Sequence, residues 1–146
     1  MKGWHRARLG TPLVIDPVYL ATSRDTFPLE LLELQDRHQL LHGAHDPFAA
    51  LSPPSLAHLR LEVEEQLKGK LLHLRTSYLA LAGARRGLDE LLRAARSTLD
   101  VLLRGMLALA ERPRPAVATD VLRAVAEVHG VTLSGLVRLD RWSAGE

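Results

Sequence analysis

One long amphipathic helix, predicted over residues 55–82, constrains this chain more than any other feature. Apolar side chains recur along it at steps of three and four residues, at Val63, Leu67, Leu71, Leu74, Tyr78 and Leu81. This spacing gives a helix one continuous apolar face, which must be covered by other parts of the structure. The rest of the chain is therefore expected to pack around this helix.

A second and narrower line of residues runs along the same helix. It alternates apolar with charged side chains, at Leu61, Glu65, Lys68, Leu72, Arg75 and Leu79. A face that met only water would not need three leucines. We therefore predict that Leu61, Leu72 and Leu79 form an interface, either as a homodimer seam or as a docking surface for a partner helix.

Three further helices are predicted after the first, over residues 85–111, 118–129 and 132–139. Gly130 directly follows one of them, at the position where a left-handed helix cap favours glycine. Gly69 lies in the middle of the first helix, where it predicts close packing against a neighbour, with a kink or a ligand approach as alternatives. Short connections favour antiparallel packing, so we predict a mainly α protein in which residues 55–140 form an up-and-down antiparallel bundle.

Residues 1–46 are expected to form a small N-terminal α/β extension of that bundle, within what is effectively one structural domain. Asp16 and Pro17 match a helix N-cap followed by proline in the first turn, which predicts a short helix to about residue 23. Residues 27–34 fit a strand or a helix, and a resemblance described below favours the strand. Residues 36–41 are predicted to form a helical turn or two, before a proline-rich linker.

Composition excludes several classes of function. The chain has no cysteine, which excludes disulfides, thiolate catalysis and cysteine-ligated zinc. Its formal net charge is +2, so no overall basic field predicts nucleic-acid binding. No apolar run reaches the roughly 18 residues of a membrane span, and none follows the basic N-terminus as in a secretory signal. We therefore expect a cytoplasmic protein that does not bind membranes.

Three histidines, His38, His42 and His45, are the nearest approach to a metal site. A helix would place the first two on one face, where neutral imidazoles can bind zinc. Gly43, however, is expected to end the helix before His45, and no HExxH pattern is present. We therefore expect no metal and no cofactor.

An arginine separated from a following histidine by four to six residues is the spacing of the ribonuclease site in HEPN-type helical proteins. It occurs here as Arg37 with His42 and as Arg123 with His129. The spacing arises by chance in a chain this rich in arginine, and Arg123 and His129 would lie about 120° apart on a regular helix. No glycine-rich phosphate loop or GxSxG pattern is present. An HEPN-like ribonuclease is therefore the less favoured alternative.

Two blocks of the sequence carry a resemblance to a known family. The first contains PLV at 12–14, DTFPLELLEL at 25–34 and LLHG at 40–43; the second contains LR at 59–60, EQLKGKLLHLR at 65–75 and YL at 78–79. In this order they resemble the C-terminal part of a bacterial family of nucleotidyltransferase-like proteins, over about residues 10–110. In that family a small α/β catalytic domain precedes a helical bundle of the substrate-binding type. The resemblance implies that residues 27–34 are the last strand of that core.

The catalytic motif of this family is absent, because the chain has no Gly-Ser pair and no Asp-x-Asp pair. The resemblance therefore implies the distal half of such a protein, either as a truncated gene, as a processed fragment, or as a non-catalytic helical module that positions substrate for a nucleotidyltransferase core on another chain. Lys68, Lys70 and Arg75 would then contact the phosphates of a nucleotide. The alternative for these cations is an ordinary surface ion pair between Glu65 and Lys68. The rival function is a homo-oligomerising protein-interaction bundle.

Overall fold

The computed structural model describes residues 13–49, 51–81 and 85–144, and this part of the chain contains helices but no strand. The helices are α1 (Pro17–Thr22), α2 (Pro28–Arg37), α3 (Leu56–Ala80), α4 (Arg85–Leu109), α5 (Ala118–His129) and α6 (Ser134–Ala144). The prediction of a mainly α helical bundle is thereby confirmed. The basic N-terminus lies outside the described residues. No described helix is both long enough and apolar enough to cross a membrane.

The first helix begins where its capping residues predict. The Oδ1 atom of Asp16 accepts a hydrogen bond from the backbone N–H of Tyr19 at 2.7 Å. Pro17 occupies the first turn of α1, where a missing N–H costs nothing. The prediction of a short helix from residue 17 is confirmed, and α1 ends at Thr22.

The strand predicted over residues 27–34 is wrong, because this segment belongs to helix α2. Pro28 starts the helix, and buried Leu29 and Leu32 follow at the three-residue spacing of one helix face. The leucine- and glutamate-rich composition favours this outcome. The helix ends at Arg37 and His38 is extended, so the helical turns predicted over residues 36–41 do not form beyond Arg37.

Helix α2 is capped by a neighbouring helix instead of by its own sequence. Phe27, at the N-cap position, provides no side-chain acceptor. Glu62 of α3 fills this role, since its Oε2 atom accepts a hydrogen bond from the backbone N–H of Leu29 at 2.9 Å. Burial raises the pKa of Glu62, although this hydrogen bond opposes the shift. The contact fixes the start of α2 against α3.

Helices α3 and α4 form a long antiparallel pair. Each contains 25 residues, or about 37 Å at 1.5 Å per residue. Their direction follows from two close approaches, Gly87 beside Leu81 at one end and Gly105 beside Val63 further along. Both helices end within about two residues of their predicted limits, which is within the usual uncertainty of helix boundaries.

Two clusters of buried side chains meet on α4. The first joins α2, α3 and α4 through Leu29, Leu32, Leu59, Val63, Leu102 and Ala108. The second joins α4 to α5 through Leu103, Leu107, Val121, Leu122 and Val125. Because α4 contributes to both clusters, it is the central element of the fold.

Close helix packing occurs at Gly105 and not at Gly69. A Cβ atom added at Gly105 would lie 2.6 Å from the side chain of Leu29 and 2.9 Å from that of Val63. A Cβ atom at Gly69 would meet nothing within 4 Å. The prediction that Gly69 permits close packing is therefore wrong, because this glycine faces open space.

The far end of the α3–α4 pair contains no buried side chain over residues 70–80 and 87–95, and Arg96 is the next residue of α4 and is buried. We call residues 70–80 of α3 and residues 87–95 of α4 the arm. On α3 only Leu59 and Val63 are buried, and both precede the arm. The side chains between the two arm helices, such as Leu74 and Leu91, are only partly buried. The well-packed core therefore lies at the opposite end, where α2 and α5 join the pair.

The C-terminal helices cover the second cluster. Helix α5 has its predicted bounds, and Gly130 caps it with a φ of 62°, in the left-handed region that favours glycine. Helix α6 begins two residues later than predicted and extends to Ala144. Its residue Leu136, together with Leu133 before it, packs against the cluster between α4 and α5.

Candidate functional site

The outward face of α3 is the line of Leu61, Glu65, Lys68, Leu72, Arg75 and Leu79. At 100° per residue this line lies on the side of the helix opposite to the buried Leu59 and Val63. The exposed fractions of its three leucines are 67%, 64% and 76% in chain order. The residues predicted to form an interface thus lie together on one surface, and no described part of the chain covers them.

The exposed apolar surface of α3 extends beyond the outward face. Leu71 and Tyr78, which were predicted to lie on the buried face, are also exposed. Burying one leucine side chain is worth roughly 1.5–3 kcal/mol compared with leaving it exposed. A helix that leaves several such side chains in water gains stability from any chain that covers them.

Lys68, one of the two cations of the outward face, makes a local ion pair. The Nζ atom of Lys68 lies 3.3 Å from Oε2 of Glu64, and Nε of Arg60 donates to the other carboxylate oxygen at 2.9 Å. These bonds, first that of Arg60, hold the pKa of Glu64 below its ordinary value. Lys68 therefore pairs with Glu64 and not with Glu65 as expected.

The structure does not bring the three predicted phosphate contacts together. Lys68 and Arg75 share the outward face, where both are exposed. Lys70 lies on the other side of α3, beside His73 and across from Thr98, in a cavity of about 240 Å³ between α3 and α4. A single phosphate on the outward face would therefore meet at most two of these three cations.

The histidine cluster is divided among separate environments. His38 is half-buried, with Nε2 at 2.8 Å from Oδ2 of Asp46 and Nδ1 at 2.6 Å from the carbonyl oxygen of Leu34. Its ring also packs on Phe48, with 4.7 Å between ring centres. His42 and His45 are exposed. Within the described residues, no group of three or more His, Cys, Asp or Glu side chains is placed to hold a metal ion.

The pKa of His38 is raised above its ordinary value, chiefly because its ring forms a hydrogen bond with the carboxylate of Asp46. The pKa of His38 is higher in the folded chain than in the unfolded chain. The stability that this contact adds to the loop is therefore fully present below the unfolded pKa, and it is lost as the pH rises through the folded pKa. Asp46→Asn should lower the pKa of His38, as followed by NMR of the imidazole protons. An unchanged His38 pKa in that variant would contradict the assignment.

The two Arg–His pairs of the ribonuclease alternative are held apart. Arg37 lies 3.6 Å from both Glu33 and Asp100, and His42 is exposed in the following loop. Arg123 pairs with Asp120 at 2.7 Å and lines a cavity of about 560 Å³ between α5 and α6. His129 lines a different cavity, of about 590 Å³, beside α3.

A buried charge network that the sequence did not predict joins α2 to α4. Arg104 is only 1% exposed. Its Nε atom donates to Oε1 of Glu33 at 2.6 Å, while its terminal nitrogens donate to Asp36 at 3.3 Å and to the carbonyl oxygen of Pro115. Buried charges are tolerated when they are paired in this way.

Arg114 completes the network from the loop after α4. Its Nη2 atom donates to Oδ1 of Asp36 at 2.6 Å. This hydrogen bond is the main reason that the pKa of Asp36 is lowered, and burial opposes the shift. With Arg37 and Asp100, the network contains three arginines and three acids. The charges balance within the fold, which indicates a structural role.

No protein-family model, no curated protein and no solved structure matches the chain. The resemblance to nucleotidyltransferase-like proteins therefore depends on the two sequence blocks alone. One of those blocks is helical where the resemblance implies the last strand of the catalytic core.

Proposed function

We propose that this chain is a non-catalytic helical module that works by binding another protein chain through the outward face of α3. The observation that carries the proposal is the line formed by Leu61, Leu72 and Leu79, each at least 64% exposed. Apolar side chains aligned along one helix face are the means by which helices dock in grooves or on other helices.

The placement of the titratable groups supports a binding role over a catalytic one. The carboxylates of Glu33 and Asp36 are used to pair Arg104 inside the fold. His38 is used to close the loop onto Asp46. These groups hold helices and loops in place, and a catalytic group would instead need to face a substrate.

The resemblance described above supplies one class of partner, a nucleotidyltransferase core on another chain. Such a core would meet Lys68 and Arg75 along with the leucines, because all of them share the outward face. Binding through this face does not require a nucleotide, and the proposal is therefore independent of the phosphate contacts expected for Lys68, Lys70 and Arg75.

Replacing Leu61, Leu72 and Leu79 together with serine is expected to abolish assembly while leaving the fold intact. The three side chains contact solvent in the isolated chain, so their loss removes little packing. Wild-type protein should form assemblies heavier than one 16.1 kDa chain, alone or with a nucleotidyltransferase core from the same genome. Light scattering measures the mass, and circular dichroism with thermal melting checks the fold.

Leu41→Ser is the matched control, because Leu41 is 87% exposed but lies in the loop after α2. This control should assemble like the wild type. The proposal fails if the wild-type chain is monomeric both alone and with the core, or if the triple serine variant assembles as well as the wild type.

A further inference from the structure

The outward face of α3 has the spacing of a coiled-coil seam. Its six residues follow one another at steps of four, three, four, three and four, so they occupy the a and d positions of successive heptads. The seam extends from Leu61 to Leu79, about 27 Å along the helix. A seam of this kind packs against a second helix with a matching seam.

We infer that the partner of this face is the same face of a second copy of the chain, with the two α3 helices antiparallel about a two-fold axis near residue 70. This inference rests on the proposed function. In an antiparallel seam, each a position of one helix lies opposite a d position of the other. With the axis near residue 70, two residues face each other when their numbers add up to 140. The resulting layers are Leu61 with Leu79, Glu65 with Arg75 and Lys68 with Leu72, each occurring twice.

Two of the three kinds of layer match in chemistry, leucine with leucine and acid with base, and the third pairs Lys68 with Leu72. Leucine meets leucine at the two ends of the seam, where Leu61 and Leu79 are both more than 60% exposed in the single chain. Glu65 meets a base, and this pair cannot form within one chain because Glu65 and Arg75 lie about 15 Å apart along the helix. The aliphatic stem of Lys68 covers Leu72, while its ammonium group stays in water.

A parallel pairing in register is disfavoured by the same residues. It would place Glu65 against Glu65, Lys68 against Lys68 and Arg75 against Arg75. Like charges placed directly opposite each other repel, and designed and natural seams use this repulsion to select orientation. Three of six layers would be repulsive, whereas the antiparallel pairing contains none. The seam therefore selects antiparallel self-association.

The seam is short, so the dimer is expected to be weak and dependent on concentration. Six leucines and two ion-pair layers over one helix face correspond to the small end of specific interfaces, below about 1,200 Å². The rise from one to two 16.1 kDa chains should occur at micromolar protein concentrations.

Charge exchange tests the pairing. Glu65→Arg alone places like charges in two layers of the homodimer and should weaken dimerisation by about tenfold or more. Arg75→Glu alone should have the same effect. A mixture of these two variants restores both acid–base layers, because each chain then supplies what the other lacks. The mixture should therefore dimerise like the wild type, as measured by sedimentation equilibrium.

Cross-linking tests the direction. The chain has no cysteine, so engineered thiols are the only ones present. Leu61→Cys alone should give no disulfide-linked dimer, because the two copies of position 61 lie about 27 Å apart in the antiparallel pair. A mixture of Leu61→Cys and Leu79→Cys should cross-link. Leu41→Cys is the exposed control and should cross-link with neither.

Each outcome decides the inference. A disulfide formed by Leu61→Cys alone, or a mixture of charge variants that does not recover, overturns the antiparallel pairing. A wild-type chain that stays monomeric throughout also overturns it. The proposed function stands in that last case if the chain still binds a nucleotidyltransferase core through its three leucines, and it fails if neither complex forms.

Discussion

Arg104→Ala is expected to lower the free energy of unfolding by about 3–5 kcal/mol, the cost of leaving buried charges unpaired. The guanidinium group of Arg104 is almost fully buried and holds Glu33, Asp36 and the backbone of Pro115 together. Among the described residues, its removal leaves the Glu33 carboxylate with only the 3.6 Å contact of Arg37. Such a loss is a large part of the stability of a typical domain.

Urea denaturation followed by circular dichroism measures this loss, and Arg123→Ala is the matched control. Arg123 pairs with Asp120 on the exposed side of α5, where an ion pair is worth at most about 1 kcal/mol. If Arg104→Ala is as stable as Arg123→Ala, the buried charge network does not contribute the expected free energy of unfolding.

The same network predicts how stability depends on acid. The pKa of Asp36 is lowered in the folded chain, chiefly by its hydrogen bond with Arg114. The ionised Asp36 carboxylate therefore adds to the free energy of unfolding above its unfolded pKa, and this stability is lost as the pH falls through the folded pKa. Arg104→Ala should weaken this acid dependence, because one of the two arginines that favour the ionised carboxylate is gone.

Glycine-to-alanine substitution is expected to change stability in opposite directions at two positions. At Gly105 the added methyl group overlaps Leu29 and Val63, which should lower the free energy of unfolding by about 1–3 kcal/mol. At Gly69 it enters open space within a helix, which should raise it by up to about 1 kcal/mol. The comparison is sharp because the substitution is chemically identical.

Chemical denaturation of both variants, at concentrations where the chain is monomeric, measures the two shifts. A gain in stability at Gly105 would mean that α2 and α3 adjust freely around the new methyl group. A loss at Gly69 would mean that this position contacts a neighbour after all. Either result would contradict the packing described for α3 and α4.

Features that lie within one helix could be predicted from the sequence. The apolar spacing of α3 and α5 set their limits, and the outward face followed from the positions of Leu61, Leu72 and Leu79 on a single helix. The prediction of a strand over residues 27–34 was wrong because a short apolar run fits both a strand and a buried helix. The resemblance favoured the strand, whereas Pro28 and the leucine–glutamate composition favoured the helix that forms.

Features that join distant segments could not be predicted in the same way. Arg104 lies 71 residues from Glu33 and 68 residues from Asp36 in the sequence. The one local signal was an arginine inside the apolar run from Leu102 to Met106, which marks a charge that must find a partner. The role of Gly105 likewise depends on which helices meet there, and its own sequence neighbourhood does not contain that information.

Because the arm lacks buried side chains, it is expected to be less stable against local unfolding than the rest of the protein. Leu59 and Val63 lie in the core, so we expect exchange of the backbone amides near them to require unfolding of the whole domain. We expect amides in residues 70–80 and 87–95 to exchange through brief local opening while α5 stays folded. The surface that bears Leu72 and Leu79 lies on this less buried part, so a chain that binds there is expected to slow amide exchange along the arm and to lose some affinity to the cost of ordering it.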